Sequence, residues 1–168
     1  MDANVRGPKT RDPTSSGRDL RKEQRDIRRP SQGIRYLDFD EVVLVHRRII
    51  ERTGGNPSLP PENEGQIRFC LDSIEYPVFG HDPYPSLFEK AAYLLYFIIE
   101  RHPFVDGNKR SATAIAAYFL EKNDYVLELH GMEGYALALE VGDGKVALQQ
   151  LVDWIRRHVT LKEHVPSF

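Results

Sequence analysis

The stretch His102-Pro103-Phe104-Val105-Asp106-Gly107-Asn108-Lys109-Arg110 lies between two strongly helical segments and decides how the rest of the chain is interpreted. The helical segment 86–101 ends immediately before it, and another begins near its Asn108. These nine residues combine a histidine, a carboxylate, a glycine, an amide and two cations. A proton-transfer group, a metal ligand and an anion cradle at this spacing predict a site that binds nucleotide phosphates and transfers part of the nucleotide.

The start of the second helical segment is the predicted anion site. First-turn N–H groups have no partner within a helix, and the helix dipole adds partial positive charge there. Gly107 permits a tight turn and a close approach of a phosphate. Asn108 can either cap the helix or donate its amide to a phosphate oxygen. Lys109 offers a point charge, and Arg110 offers a bidentate fork.

Three further residues of the stretch have predicted roles. Asp106 can hold Mg²⁺ against the same phosphates through hard carboxylate oxygens. Histidine titrates near neutrality, which makes His102 the predicted general base. Neighbouring cations favour its neutral form and the end of the preceding helix favours its charged form, so its charge state stays open. Phe104 is predicted to anchor the loop in the core.

Each of these residues also has an ordinary structural explanation when it is taken alone. His102 could bond the last carbonyls of its helix, residues 106–108 could form a simple turn, and the two cations could be a solvated face. Their combination in a helix–loop–helix favours the functional interpretation. A Walker-type phosphate loop is excluded, because no upstream glycine stands at the required spacing and no strand precedes the stretch.

The 168 residues suit one domain with a tail at each end, and the charge is unevenly distributed. Residues 1–33 carry nine Lys/Arg and five Asp/Glu, whereas the remainder carries 14 and 20. The first segment is rich in Pro, Gly, Ser and Arg, so it is predicted to be a disordered basic tail. It is interpreted as a solvated tail in preference to a nucleic-acid-binding arm, because it lacks aromatic residues that could stack on bases. We expect the domain to span 34–160 and a C-terminal tail to span 161–168.

Features that the sequence lacks argue against several functional classes. The N-terminus has no apolar signal-peptide core, and the longest apolar run, 91–99, is too short for a bilayer, so a cytoplasmic protein is expected. The single cysteine, Cys70, fits a reducing interior and is interpreted as a core residue. The six histidines show no metal-ligand spacing, so no zinc site is predicted.

The remaining sequence predicts an all-α domain. A capping box at Asp38 and Glu41 opens a first helix that ends at Gly54-Gly55. The second predicted helix runs from 60–61 to about 73, and the third runs from its cap at Ser86 to 101. Further helices are predicted from 108 onward, near 132–141 and over 145–158. The third helix is apolar nearly all round, so it is predicted to be the central one. Alternation over 125–129 predicts one short extended piece.

With these elements in place, the stretch resembles the signature of the Fic/Doc family, His-Pro-Phe-x-Asp/Glu-Gly-Asn-Gly/Lys-Arg, and matches it at every fixed position. The similarity extends over roughly 36–158. It implies an all-α fold that transfers a phosphate-containing group from a nucleotide such as ATP to a protein side-chain hydroxyl. The roles it implies agree with those above: base for His102, Mg²⁺ ligand for Asp106, and anion hole for residues 107–110.

The resemblance also implies a flap and a partner. Residues 76–85 correspond to a flap that pairs with an extended target strand, with Phe79, Gly80 and Tyr84 as its residues, although a proline-rich connector is an equal alternative. An inhibitory helix would need Ser/Thr-x3-Glu-Gly/Asn. Residues 58–63 fit those letters, but two consecutive prolines oppose a helix, so this is interpreted as a chance match. The resemblance therefore implies a separate antitoxin, with this chain as the toxin of a toxin–antitoxin pair.

Two departures bear on the reaction. AMP-transferring members usually carry an arginine three residues after the signature arginine, where this chain has Thr113, and often a glycine where it has Lys109. Both features resemble Doc-type kinases, whereas Gly107 is the Fic-type residue. We therefore favour transfer of the terminal phosphate over AMP transfer. A non-catalytic nucleotide- or partner-binding module is the third hypothesis, and the sequence does not predict the oligomeric state.

Overall fold

The apolar run 91–99 forms the centre of the fold, in agreement with the sequence prediction of an all-α domain. A computed structural model describes residues 33–163 of the chain, and six helices and one small sheet account for its regular structure. The helices are α1 (Phe39–Thr53), α2 (Glu64–Glu75, preceded by a 3-10 turn at Pro61–Asn63), α3 (Leu87–Arg101), α4 (Asn108–Lys122), α5 (Glu133–Gly142) and α6 (Leu148–His158). The strands are β1 (Tyr125–Leu127) and β2 (Val159–Leu161).

Helix α3 is central because the other layers pack around it. It contacts α2, α4, α5 and α6, and α4 in turn contacts α1 and α5. Ten of the fifteen residues of α3 are buried, so only a narrow strip of the helix surface faces solvent. Cys70 of α2 is part of the same core, and burial raises the pKa of its thiol, which agrees with its interpretation as a packing residue.

Both predicted capping boxes are present and define where two helices begin. The Glu41 N–H donates to Asp38 Oδ1 at 2.8 Å, and the Asp38 N–H donates to Glu41 Oε2 at 3.0 Å. Ser86 and Glu89 form the same reciprocal pair at the start of α3. Each box satisfies two N–H groups that the helix cannot, and a cap of this kind contributes about 1 kcal/mol.

The small sheet joins the end of α4 to the end of the chain. Strands β1 and β2 are antiparallel, with Tyr125 opposite Leu161. The Lys162 N–H also donates to the Asp124 carbonyl at 2.8 Å. The folded domain therefore continues to Lys162, two residues past the predicted boundary at 160. The predicted tails otherwise lie outside the described residues, apart from Gly33 and Glu163.

The loop between α2 and α3 is held in place by a buried lysine. Lys90 is only 1% exposed, and its ammonium donates to the Ile74 carbonyl at 2.6 Å and to Asp82 Oδ2 at 2.7 Å. The first bond satisfies a carbonyl in the last turn of α2, where the helix has no partner of its own. Tyr84 stacks on Tyr93 of α3 and fixes the other end of the loop.

We predict that Lys90→Met destabilises the protein by about 1–3 kcal/mol, because it leaves the Ile74 carbonyl buried without a partner. Urea denaturation followed by circular dichroism measures the change. The matched control is Lys145→Met, which breaks the exposed pair with Asp143 and should alter stability by less than about 0.5 kcal/mol. Equal effects of the two substitutions would contradict the role assigned to Lys90.

We also predict a pH-dependent contribution from Asp82. Burial alone would raise the pKa of Asp82, but the hydrogen bonds from Lys90 and from the Tyr84 backbone outweigh it and lower the pKa. A lowered folded-state pKa means that the unfolded chain binds the proton more readily, so the contribution is present above the unfolded pKa and is lost as the pH falls through the folded one. Urea denaturation should therefore show a gap in stability between wild type and Asp82→Asn at pH 7. The gap should close at a pH below the folded pKa, and a gap that persists there would contradict the assignment.

Candidate active site

His102 is the C-cap of α3 and has an unusual backbone conformation. Its φ and ψ are 47° and 55°, in the left-handed region, and its N–H still donates to the Ile98 carbonyl at 3.1 Å. A non-glycine residue in this region costs roughly 1–2 kcal/mol. The conformation ends the helix abruptly and leaves the imidazole exposed at the mouth of the loop.

Gly107 is the N-cap of α4 and requires the freedom of glycine. Its φ is 69°, and a Cβ there would lie 2.4 Å from Cδ1 of Ile50 in α1. The first intrahelical bond of α4 runs from the Ser111 N–H to the Gly107 carbonyl at 2.8 Å. The N–H groups of Asn108, Lys109 and Arg110 precede that bond and so face the loop without an intrahelical acceptor. The Gly107 N–H itself donates to Asp106 Oδ1 at 2.6 Å.

The side chain of Asn108 has a role other than the two that the sequence predicted, helix capping and donation to a phosphate. Its side chain is buried, where its Oδ1 accepts the Phe104 N–H at 2.9 Å and its Nδ2 donates to the Phe104 carbonyl at 2.8 Å. The amide therefore neither caps α4 nor points to a phosphate, and only the backbone N–H of Asn108 can serve the anion site. Phe104 is 3% exposed and lies in the core. The two bonds pin the backbone of the loop at this residue.

Asp106 and Arg110 contact each other and the end of α1. Arg110 Nη2 lies 3.4 Å from Asp106 Oδ1, and Arg110 Nη1 donates to the Thr53 hydroxyl and to the Gly54 carbonyl. A Cβ on Gly55 would lie 2.3 Å from Asp106 Oδ2, so a larger residue there would displace the carboxylate. The sequence analysis treated Gly54-Gly55 only as a helix terminator and missed this contact.

The segment that follows α1 borders the signature loop along its length. The Val105 N–H donates to the Ser58 carbonyl at 3.1 Å, and the Asn63 Nδ2 donates to the Pro103 carbonyl at 2.9 Å. Residues 58–60 are not helical. Glu62 lines a separate cleft beside Phe69 and Arg101 on the α2 side. The chance match to an inhibitory helix therefore has neither the helix nor the position that inhibition would need.

The residues proposed for the flap, Phe79, Gly80 and Tyr84, do not line the pocket that the signature loop forms. Val78 and His81 form a two-residue hairpin whose tip is Phe79 and Gly80, both with positive φ. Asp82 holds this hairpin to Lys90 in the first turn of α3, and twelve residues of helix separate Lys90 from His102. At 1.5 Å per residue this is ~18 Å. The hairpin is thus at the opposite end of α3 from the signature loop, and residues 54–63 border the loop instead.

Lys109 lines the pocket of the signature loop, and its side chain also contacts α5. A Cβ on Gly142 would lie 3.0 Å from Lys109 Cε and 3.6 Å from its Nζ, so the side chain runs along the last turn of α5. The partial negative charge at the C-terminal end of that helix favours an ammonium in this place. In this arrangement, Lys109 offers its backbone N–H to the anion site more directly than its charge.

A pocket of about 370 Å³ brings together most of the predicted site. It is lined by His102, Val105 and the run 106–110, together with Tyr135 of α5, which the sequence analysis did not single out. A larger cleft of about 860 Å³ lies between α1 and residues 57–64. Its described lining contains no histidine and none of residues 102–110, so the size of a cleft does not identify the site, whereas the chemistry of its lining does.

The residues present fit a magnesium ion that is bound together with phosphates. The described part of the chain contains no group of three or more His, Cys, Asp and Glu residues that could hold a metal alone. Mg²⁺ commonly uses one or two carboxylates and completes its shell with phosphates and water. Asp106 is half exposed and is accommodated only because Gly55 lacks a Cβ. A single carboxylate beside an anion site is consistent with this kind of coordination.

The helical fold and the loop between α3 and α4 define a helical domain of the Fic/Doc type. A family model described as "Fic/DOC family" matches residues 36–120, which is half of the chain, so the chain belongs to this family. It is 52% identical over 88 residues to "Toxin Doc" of Mycolicibacterium smegmatis; the match covers 52% of this chain and 64% of that protein, just under two thirds. It is 27% identical over 124 residues to "Protein kinase doc" of Escherichia phage P1, covering 74% of this chain and 95% of that protein. None of the described helices is both long and apolar enough to cross a bilayer.

We predict that Asn108→Ala both destabilises the protein and releases the loop. Loss of the side chain leaves two buried backbone groups of Phe104 unpaired, at roughly 1–3 kcal/mol each. The matched control is Asn123→Ala, because Asn123 is also buried and binds the backbone N–H and carbonyl of Arg35 in the same way. Urea denaturation should show comparable losses of stability for both variants.

Backbone NMR separates the two variants. The amide resonances of His102 and Gly107 should move in Asn108→Ala and stay in place in Asn123→Ala. Unchanged His102 and Gly107 resonances in a folded Asn108→Ala variant would show that Asn108 does not hold the loop.

Proposed function

We propose that the protein is a Mg²⁺-dependent protein phosphotransferase of the Doc type, which transfers the terminal phosphate of ATP to a side-chain hydroxyl of a target protein. One observation carries the proposal: the exposed His102 and the first turn of α4 line a single pocket. A base and an anion site must lie this close together for a hydroxyl to be deprotonated beside the phosphate that it attacks.

The proposed step assigns one task to each group. His102 takes the proton of the target hydroxyl, the hydroxyl oxygen forms a bond to the terminal phosphorus, and the bond from that phosphorus to the bridging oxygen breaks, which leaves ADP. The backbone N–H groups of residues 108–110 stabilise the negative charge on the phosphates. Asp106 would hold Mg²⁺, which supplies charge neutralisation on the phosphates when it is bound.

Arg110 is proposed to exchange partners when the nucleotide binds. Its present partners are the Thr53 hydroxyl, the Gly54 carbonyl and Asp106, and the side chains of both Arg110 and Asp106 are partly exposed. Exposed ion pairs contribute little to stability, typically 0–1 kcal/mol. A phosphate can therefore replace these contacts with a bidentate charged pair at small cost.

Packing at Thr113 supports phosphoryl transfer over AMP transfer. The Thr113 hydroxyl donates to the Lys109 carbonyl at 3.2 Å, and its methyl group lies 3.2 Å from the position of a Cβ on Gly134 in α5. The space beside α4 where the second arginine of AMP-transferring members would begin is thus filled by contact with α5. Without that arginine, the chain lacks a second side-chain clamp for the end of the nucleotide.

The partner protein, the cellular location and the contact with the nucleoside are also proposed. The name "Toxin Doc" of one relative supports a role as a toxin, and the name "Protein kinase doc" of the other supports phosphotransfer. We propose a toxin–antitoxin pair in which a separate antitoxin protein is the partner. A reaction that consumes ATP and modifies a cellular protein is expected in the cytoplasm. Tyr135, which is half exposed at the pocket, is proposed to contact the nucleoside, because an aromatic face can stack on any base.

The deciding experiment incubates the purified protein with Mg²⁺, ATP and a pool of cell proteins, and follows the proteins by mass spectrometry. We predict that a target gains one phosphate with wild type, and that His102→Ala lowers the rate at least about 100-fold. His130→Ala, which alters an exposed histidine outside the pocket lining, should keep the wild-type rate. A gain of AMP would establish the alternative reaction, and no gain with several nucleotides would favour a binding module.

A further inference from the structure

A histidine that the sequence analysis did not single out lies directly beneath the signature loop. His46 of α1 is fully buried, and its ring stacks on Phe104 with centroids 3.7 Å apart and an angle of 7° between the planes. Its Nδ1 lies 2.8 Å from the Ser111 hydroxyl, so the two are hydrogen-bonded. The nearly parallel ring contact and the bond both join α1 to a segment more than fifty residues away.

The two contacts fall on opposite halves of the signature loop. Phe104 lies between His102 and Asp106, in the half that carries the base. Ser111 follows Arg110 in the first turn of α4, in the half that carries the anion site. One side chain therefore determines how the two halves are placed relative to each other. Ile50, one turn later on the same face of α1, contacts the position where a Gly107 Cβ would be and supports the turn between the halves.

The ring pairs only one of its two nitrogens. Nε2 is buried and has no hydrogen-bond partner among the described residues, although the Pro57 backbone is near enough to raise the pKa of the ring. Burial is the largest influence and lowers the pKa of His46; Arg110 and Arg47 also lower it, and Asp106 opposes them. The ring is therefore neutral at pH 7, and a neutral ring can lie flat on Phe104 without burying a charge.

Packing alone does not account for a histidine here. Burial removes the polar nitrogens of the ring from water, and an apolar ring of similar size would fill the same space without that desolvation penalty. The bond from Nδ1 to Ser111 is the feature that an apolar ring could not supply. The polar side of the ring thus points to the start of α4, and its face points to the loop.

We propose that His46 is a positioning residue: by holding Phe104 and Ser111 together, it sets the place of His102 relative to the first turn of α4. Its effect on catalysis rests on the phosphotransfer proposed above, whereas its effect on the loop does not. A loop displaced by about 1 Å can lower a rate by about 100-fold. Loss of the His46 contacts should misalign His102 and should weaken nucleotide binding much less. The reason is that residues 108–110 bind phosphate through the start of a helix that stays intact.

The test uses three variants that separate the two contacts. His46→Phe keeps the ring stack and removes the bond to Ser111, Ser111→Ala removes the same bond and keeps the histidine, and His46→Asn keeps a polar atom near Nδ1 and removes the stack. The matched control is Val42→Ala, because Val42 is a buried residue one turn earlier in α1. It should lower stability while leaving the loop in place.

Two readouts are measured for each variant. The first is the rate of target phosphorylation with ATP, separated into kcat and KM. We expect His46→Phe and Ser111→Ala to lower kcat about 10- to 100-fold with a change in the KM for ATP of less than about threefold. The second is the imidazole NMR resonance of His102, assigned by its loss in His102→Ala, and it should move in these variants and stay in place in Val42→Ala.

The proposal can be overturned even if one of the variants does not fold or if the wild-type protein transfers no phosphate. If His46→Phe is destabilised as Val42→Ala is, but keeps the wild-type kcat and the His102 resonance, His46 only fills space. If His46→Phe does not fold, Ser111→Ala decides, since it changes one hydroxyl and retains both rings. If wild type transfers no phosphate, the proposed function fails, but the His102 resonance still decides: movement in Ser111→Ala and not in Val42→Ala supports the positioning role, and no movement refutes it.

Discussion

The loop between α3 and α4 must bury Phe104 while leaving His102 and Asp106 open to solvent, and the rest of the site depends on this constraint. Residues 102–107 meet it with two left-handed residues, His102 and Gly107, which turn the chain at either end. Between them, the backbone of Phe104 enters the core, where it would lose its hydrogen bonds to water. Asn108 replaces those bonds with two of its own. The exposed histidine and the open first turn of α4 are consequences of that arrangement.

The end of α1 supplies the other half of the support. Its contacts on the signature loop are of different kinds: the stacked ring of His46, the apolar end of Ile50, and the polar groups of residues 53–54 on Arg110. Gly55 contributes by the absence of a side chain, because a Cβ there would occupy the place of the Asp106 carboxylate. A segment that is more than fifty residues away in sequence from its contacts in the signature loop therefore helps to determine the shape of the site.

The division between what the sequence predicted and what it did not follows the range of the interactions. The capping boxes at Asp38 and Ser86, the end of α1 and the central place of α3 depend on residues within one or two turns, and the structure confirms them. The use of the Asn108 amide depended on whether Phe104 lies within reach, which spacing alone leaves open. The position of the hairpin at 76–85 depends on the bond between Lys90 and Asp82, which the spacing of residues along the chain does not predict. Strand β2 was missed since β1, its partner in the described part of the chain, lies more than thirty residues earlier.

The charged side chains of the site are held less firmly than its backbone. The backbone of residues 104–108 is fixed by buried hydrogen bonds, which are expensive to break because their groups would be left without water. Arg110 and Asp106, by contrast, hold each other across 3.4 Å in a partly exposed pair, where water screens the attraction. A phosphate with its cation can separate this pair, since Arg110 would exchange a carboxylate for a phosphate and Asp106 would exchange a guanidinium for a metal. The loop can therefore keep one shape while its charged side chains change partners, so ligand binding need not reorganise the backbone that positions His102.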